Sequence, residues 1–431
     1  MRVAYLAAGA GGMICGSCLR DNRIAASLIA RGRDVVLIPL YTPLRTDEAD
    51  VSTRKVYFGG LSVYLEEKSA LFRHLPRGLT RILDSPRLLR RVSKWAGKTD
   101  AAELGELTVS VLQGEHGAQR RELDELVRGL AAINPDIVKL PNLMFLGMAE
   151  SIKRALHLPI LCTLSGEDIF VDQLTEPYRG RAFDLIRRNA DAVDGYVAVT
   201  NYFADHAARH FSLPRERIHV VPMGVRHEDF AEAAAPQPPF TIGYLARICP
   251  EKGLRQLCEA FALLRRRGRD CRLRVAGYLG PRYRSYFDET VAFVRERGCG
   301  ENFEYVGEVD LQGKIEFLRS LHVLSVPTVY HESKGFYVLE ALASGVPVVQ
   351  PRHGSFPELV EATGGGLLYD PIGPAALADA IDLLMTDEAL RTRLARAGHD
   401  AVCAKFTDGL MADRTWALCE RFVGALASRG L

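Results

Sequence analysis

Two carboxylates eight positions apart, Glu332 and Glu340, frame the stretch HESKGFYVLEALASGVPVVQP at residues 331–351. Between them, Ser333-Lys334-Gly335 reads as a loop turning into a helix that carries Tyr337, Val338, Leu339 and Glu340 and ends near Gly345. Pro347-Val348-Val349 then reads as the next strand. Gly335 lets backbone N–H groups approach a ligand closely, and a helix start offers donors with no intrahelical acceptor. Those donors and the helix dipole favour a phosphate. Carboxylates beside such a turn suit the hydroxyls of a sugar or ribose, from which they accept strong hydrogen bonds. The alternative is that Glu340 complements the helix N-terminus and Glu332 is a surface charge.

A pair of cations sits at a second junction. Arg247 and Lys252 flank the turn between an apolar strand at 241–245 and a helix at 254–265. At the carboxyl end of a strand, an arginine and a lysine can neutralise a diphosphate. The tract Arg265-Arg266-Arg267 is a reminder that surface cations are common in this chain.

These groups need parallel α/β units to hold them. Short apolar runs predict strands at 3–8, 35–40, 136–140, 159–164, 195–200 and 218–221, and again at 241–245, 273–277, 303–307, 323–327, 347–349 and 367–369. Helical patterns fall at 17–31, 122–133, 145–156, 183–190, 254–265, 316–321, 374–385, 388–403 and 408–427. The loop Gly9-Ala10-Gly11-Gly12 follows the first strand, but Ile14 holds the last place of a G-x-G-x-x-G pattern. No acid ends the second strand to hold a ribose, which argues against a nicotinamide dinucleotide. After Leu164 come Ser165, Glu167 and Asp168; either acid suits an acceptor hydroxyl, or Asp168 caps a helix. Cys15 and Cys18 form a C-x-x-C at a helix start, without the second pair a zinc site wants.

The phrase GFYVLEALASGVPVV resembles the E-x7-E region of retaining glycosyltransferases of the GT-B fold, in the large family 4 of nucleotide-sugar-dependent enzymes. Residues 246–253 are similar to the family's G-R-x-x-x-x-K-G diphosphate pattern, with Ala246 in place of its glycine. Residues 222–225 are similar to its PNGV turn, with Met223 replacing the polar residue. His353-Gly354-Ser355-Phe356-Pro357-Glu358 is similar to a further family turn in which Glu358 starts a helix and is structural. Lys334 stands where the family more often has an aromatic or small residue, and Ser165 where it often has a histidine. The resemblance covers nearly the whole chain and is sharp from Gly243 to Glu358.

The resemblance implies an α/β, GT-B architecture: two doubly wound Rossmann-like domains facing across a cleft. Residues 1–222 would form the acceptor side, 223–239 the linker, 240–405 the donor domain, and 406–431 a helix crossing back. It implies transfer of a sugar from a UDP- or GDP-sugar to a hydroxyl of a saccharide, lipid or metabolite, with retained configuration. The expected route is front-face departure without a cofactor or a metal. Arg247, Lys252 and N–H groups near Gly335 and Phe336 would stabilise the leaving diphosphate. Glu332 would orient the sugar, Glu340 would hold the ribose, and Tyr337 would line the donor site. Gly11, Gly12 and Glu167 would face donor phosphate and acceptor. A nucleotide-sugar isomerase and a non-catalytic nucleotide-sugar-binding subunit are the rival readings.

Composition sets the remaining bounds. A chain of 431 residues predicts two or three domains, and a formal charge of +2 makes nucleic acid a poor partner. Nine scattered cysteines predict reduced thiols in the cytoplasm. No run of roughly 18 apolar residues predicts a membrane span. Residues 73–98 gather Arg73, Arg77, Arg81, Arg87, Arg90, Arg91, Lys94 and Lys98 around an apolar stripe. That segment suits peripheral contact with an anionic membrane face or an anionic acceptor, the alternative being two solvated helices packed on the first domain.

Overall fold

Continuous apolar runs build most of the strands, as parallel strands covered on two faces require, whereas Cys271–Ala276 and Phe303–Gly307, toward one edge of the second sheet, alternate in burial. The structure is a computed structural model that describes residues 1–9, 16–58, 101–230 and 236–428. Gly11, Gly12, Cys15 and the basic segment 73–98 lie outside the described residues. The chain divides into two compact units, Met1–Pro222 with Met411–Leu431, and Met223–Leu410.

In the first unit, β1 (Arg2–Ala7), β2 (Asp34–Pro39), β3 (Ile137–Leu140), β4 (Ile160–Thr163), β5 (Gly195–Ala198) and β6 (Ile218–Val220) form one parallel sheet. Its order is β2-β1-β3-β4-β5-β6. The last helix, Asp408–Ala427, belongs to this unit for most of its length: Met411, Ala412, Trp416 and Cys419 join Val3, Tyr5 and Leu28 in one apolar cluster.

In the second unit, β7 (Phe240–Leu245), β8 (Cys271–Ala276), β9 (Phe303–Gly307), β10 (Val323–Leu324), β11 (Val348–Pro351) and β12 (Gly366–Tyr369) lie in the order β12-β11-β10-β7-β8-β9. The chain steps outward one way from β7 and the other way from β10. The crevice at the carboxyl ends of those two strands is where doubly wound sheets bind ligands. Val225 donates its N–H to Phe406 O at 2.9 Å, and Asp408 N donates back to Val225 O at 3.0 Å. The start and end of this unit are thereby fastened together.

Several elements differ from the sequence expectation. β10 stops at Leu324 rather than 327, although Ser325 N still donates to Gly243 O on β7. The helix expected at 316–321 is Leu311–Arg319, because Asp310 caps it through Gly313 N at 2.8 Å. The expected helix 145–156 splits into a 3-10 segment, Leu143–Met148, and a helix, Ala149–Leu156. The helix expected at 183–190 runs over Tyr178–Asn189. Three further helices, Ala101–Leu112, Asn201–Phe211 and Arg284–Glu296, were not expected. The eight described cysteines are free thiols, seven of them buried. Among the described residues no helix is long and apolar enough to cross a membrane.

Candidate active site

Lys252 follows β7 and Glu332 follows β10, so the switch point of the second sheet brings them together. Lys252 Nζ lies 2.5 Å from Glu332 Oε2. Tyr330 OH donates to the same oxygen at 3.0 Å, and so does Tyr337 OH. Lys252 Nζ also donates to Tyr330 OH at 2.6 Å. The other oxygen, Oε1, accepts the backbone N–H groups of Ser333 and Lys334 at 3.1 and 3.2 Å. Glu332 is 4% exposed. Burial alone would raise its carboxyl, but the Lys252 ammonium and these donors outweigh it and hold the pKa at about 2. Burial, then the Glu332 charge, pushes both tyrosine hydroxyls well above their usual range.

Close backbone contacts fix this pair. Gly253, immediately after Lys252, has φ +72°, and a Cβ there would lie 1.8 Å from Pro327 O. Val329 N donates to Glu251 O at 2.9 Å, tying the same two loops again. From β11, Gly354 passes beneath Glu332, where a Cβ would meet Glu332 N at 2.6 Å, and Ser355 N donates to Glu332 O at 2.8 Å. Three loops from adjacent strands thus close on Glu332, two through its carboxylate and the third through its backbone.

The helix Phe336–Ala343 starts at Gly335, whose φ of +79° gives the left-handed entry that glycine adopts without strain. Every residue of that helix is buried. Glu340, in its interior, forms a separate buried pair: Lys314 Nζ, from Leu311–Arg319, lies 2.8 Å from Glu340 Oε1. Arg247 is exposed on the loop that carries Lys252, and among the described residues no carboxylate pairs with its guanidinium.

Glu167 belongs to the first unit and is buried. Its oxygens accept Leu143 N at 3.3 Å and Ser165 N at 2.8 Å, so it braces the loops after β3 and β4. Arg20 Nη1 reaches Ser165 Oγ at 3.3 Å, while Asp21 takes Arg20 Nη2 at 2.7 Å. Asp168 does not cap its helix; its Oδ2 lies 3.0 Å from His206 Nε2.

Sequence reasoning missed Tyr330 and Lys314. Tyr330 belongs to no motif read in the sequence; its hydroxyl links Glu332, two positions on, to Lys252, 78 positions away. Lys314 does carry one. It shares a helical face with the apolar Phe317 and Leu318, and a lysine on a buried face needs a counter-charge.

Residues 225–401 match the model for glycosyl transferases group 1, and residues 109–229 match that for glycosyltransferase family 4. The D-inositol 3-phosphate glycosyltransferase of Corynebacterium glutamicum (strain R) is 30% identical over 45% of this chain and 48% of its own. The alpha-D-kanosaminyltransferase of Streptomyces kanamyceticus is 27% identical over 55% of this chain and 62% of its own. The chain spans about half the length of the curated relatives it matches. Among solved structures, sucrose-phosphate synthase from Thermosynechococcus elongatus superposes with a TM-score of 0.74 at 16% identity, covering 99% of this chain and 100% of that one. Anabaena HepE in complex with UDP gives 0.69 at 14% identity, with 98% and 100% covered. With both family models matched in tandem and two parallel six-stranded sheets that share the fold of these neighbours, the chain belongs to the family 4 glycosyltransferases of the GT-B fold.

Proposed function

We propose that the chain moves a sugar from a UDP- or GDP-sugar to an acceptor hydroxyl with retained configuration. The observation that carries this reading is the buried Lys252–Glu332 pair at the switch point, beside the Gly335 helix start. Every strong acceptor position of Glu332 is filled without a ligand. A diphosphate arriving at the Phe336–Ala343 helix start draws the Lys252 ammonium toward itself, and Glu332 Oε2 then accepts a sugar hydroxyl in its place. The exchange pairs Lys252 with the diphosphate and leaves Glu332 hydrogen-bonded by the sugar hydroxyl, the two tyrosines and two backbone N–H groups, which limits the desolvation cost. As the bond to the sugar breaks, negative charge grows on the diphosphate, where Lys252, Arg247 and the helix start stabilise it; each such contact contributes ~3 kcal/mol in favourable cases. The leaving phosphate takes the acceptor proton on the same face. Glu340, held by Lys314, accepts from the ribose hydroxyls.

The names of the curated relatives suggest where to begin with acceptors: inositol phosphates and phosphatidylinositol. Nucleotide sugars are first ranked by thermal stabilisation of the chain, since a ligand bound only by the folded state raises Tm. The best donor is then incubated with each acceptor, and the product's anomeric configuration is read by NMR. A product with the donor's configuration supports the proposal. A product still linked to nucleotide, or tight binding with neither transfer nor hydrolysis, overturns it.

A further inference from the structure

The far end of the helix Phe336–Ala343 is completed by a side chain from another helix. Backbone N–H groups that follow it satisfy the carbonyls of Glu340, Ala341 and Leu342. Ala343 O instead lies 2.8 Å from Nδ1 of His399, on the helix Glu388–Lys405. It is the kind of carbonyl that a helix end leaves without an intrahelical partner. The two helices meet closely here: a Cβ at Gly398 would lie 2.6 Å from Leu342 Cδ2. His399, the next residue, is therefore placed by its backbone as well as by its ring.

A carbonyl only accepts, so Nδ1 carries a proton and Nε2 is left as an acceptor. One helical turn on, Cys403 Sγ lies 3.6 Å from that Nε2. Thiol, ring and carbonyl thus stand as nucleophile, base and orienting group. Of the eight described cysteines, Cys403 is the one that is not buried. Burial pushes the thiols of Cys162, Cys258, Cys271 and Cys419 up, that of Cys271 to about 12, which keeps them protonated and inert. Cys403 sits in the last turn of its own helix, where the dipole opposes a thiolate, so any reactivity rests on His399. The carboxyl end of the Phe336–Ala343 helix favours the positive charge that the ring acquires with the thiol's proton.

We propose that Cys403 is a modification site, a thiol that His399 activates for exchange with a low-molecular-weight disulfide. His399 Nε2 takes the thiol proton, and the Cys403 sulfur attacks one sulfur of the disulfide. A new S–S bond forms as the old one breaks, and the leaving thiolate takes the proton back from the ring. The Cys403 sulfur is oxidised and the leaving sulfur reduced, so the step balances with no other reagent. Neither residue has a part in the sugar transfer proposed above, so this site stands or falls without that reading.

The test incubates the full chain with oxidised glutathione at pH 7 and locates the adducts by peptide mass mapping. An ordinary thiol is only a few per cent thiolate at that pH, which leaves room for an acceleration of about tenfold over N-acetylcysteinamide. Cys403 should react at that faster rate, and first among the eight described cysteines. His399→Gln, if it melts like wild type, should remove the advantage, and its rate should rise with pH as that of a simple thiol does, through about 8.5. If the variant melts lower, the comparison of wild type with the reference thiol decides alone. Reaction no faster than the reference thiol, an earlier adduct on another described cysteine, or a well-folded His399→Gln that keeps the wild-type rate and pH profile overturns the proposal.

Discussion

Replacing Glu332 by glutamine should destabilise the second unit by about 3 kcal/mol near pH 7, and a partner change should recover most of it. The magnitude comes from the carboxyl itself. Its fall from 4.5 to about 2, at 1.36 kcal/mol per pKa unit, corresponds to 2.5 × 1.36, or about 3 kcal/mol. Removing one partner of a buried ion pair costs a similar 3–5 kcal/mol, because the other charge is stranded. Here that charge is Lys252, 15% exposed and within 2.5 Å. The sign is set by a depressed folded pKa: the contribution is complete above about 4.5 and is lost as pH falls through about 2. The assay is amide hydrogen exchange in β7 and the Phe336–Ala343 helix for wild type, Glu332→Gln, Lys252→Met and the double variant. Each single change should cost several kcal/mol and the double change much less than their sum. Additive single effects below 1 kcal/mol would refute the view of this pair as a buried, coupled unit.

Three other expectations test the same architecture. Gly253→Ala forces a side chain into Pro327 O at a positive φ, so Tm should fall and donor affinity should drop with it; an unchanged melt would mean the two loops are not locked. Lys314→Met should weaken nucleotide binding, measured by calorimetry, by roughly tenfold or more, since it strands Glu340; equal affinity would remove Glu340 from the ribose. Tyr337→Phe deletes one donor to Glu332 Oε2 and should cost about 1 kcal/mol of stability by thermal melting; a neutral change would show that bond to be dispensable.

How far the sequence revealed this structure depended on the range of the signal. Most of the twelve described strands are short apolar runs followed by turns, and such local patterns are readable one at a time. Lys252 was legible because it follows a strand and adjoins Gly253, and Glu332 because it follows a strand and leads into the helix start at Gly335, both glycines taking a positive φ. The buried Lys314–Glu340 pair was not read, because its members lie 26 positions apart on different helices. The helix Asn201–Phe211 was missed for another reason. Its buried face is Phe203, Ala204, Ala207 and Phe211, half of it small alanines, and its start depends on Thr200 accepting from Phe203 N at 3.2 Å, a cap at the end of what reads as a strand. Glu167, expected to face a ligand, accepts the backbone N–H groups of Leu143 and Ser165.

The near-touch of Gly253 on Pro327 O has a bearing on attempts to retune this chain. Two stretches more than seventy positions apart share one clearance, too narrow for a methyl group. Grafting either stretch alone from a relative would bring in a backbone path shaped for a different neighbour. Both must be exchanged as a set, and libraries that randomise only one will mostly sample misfits.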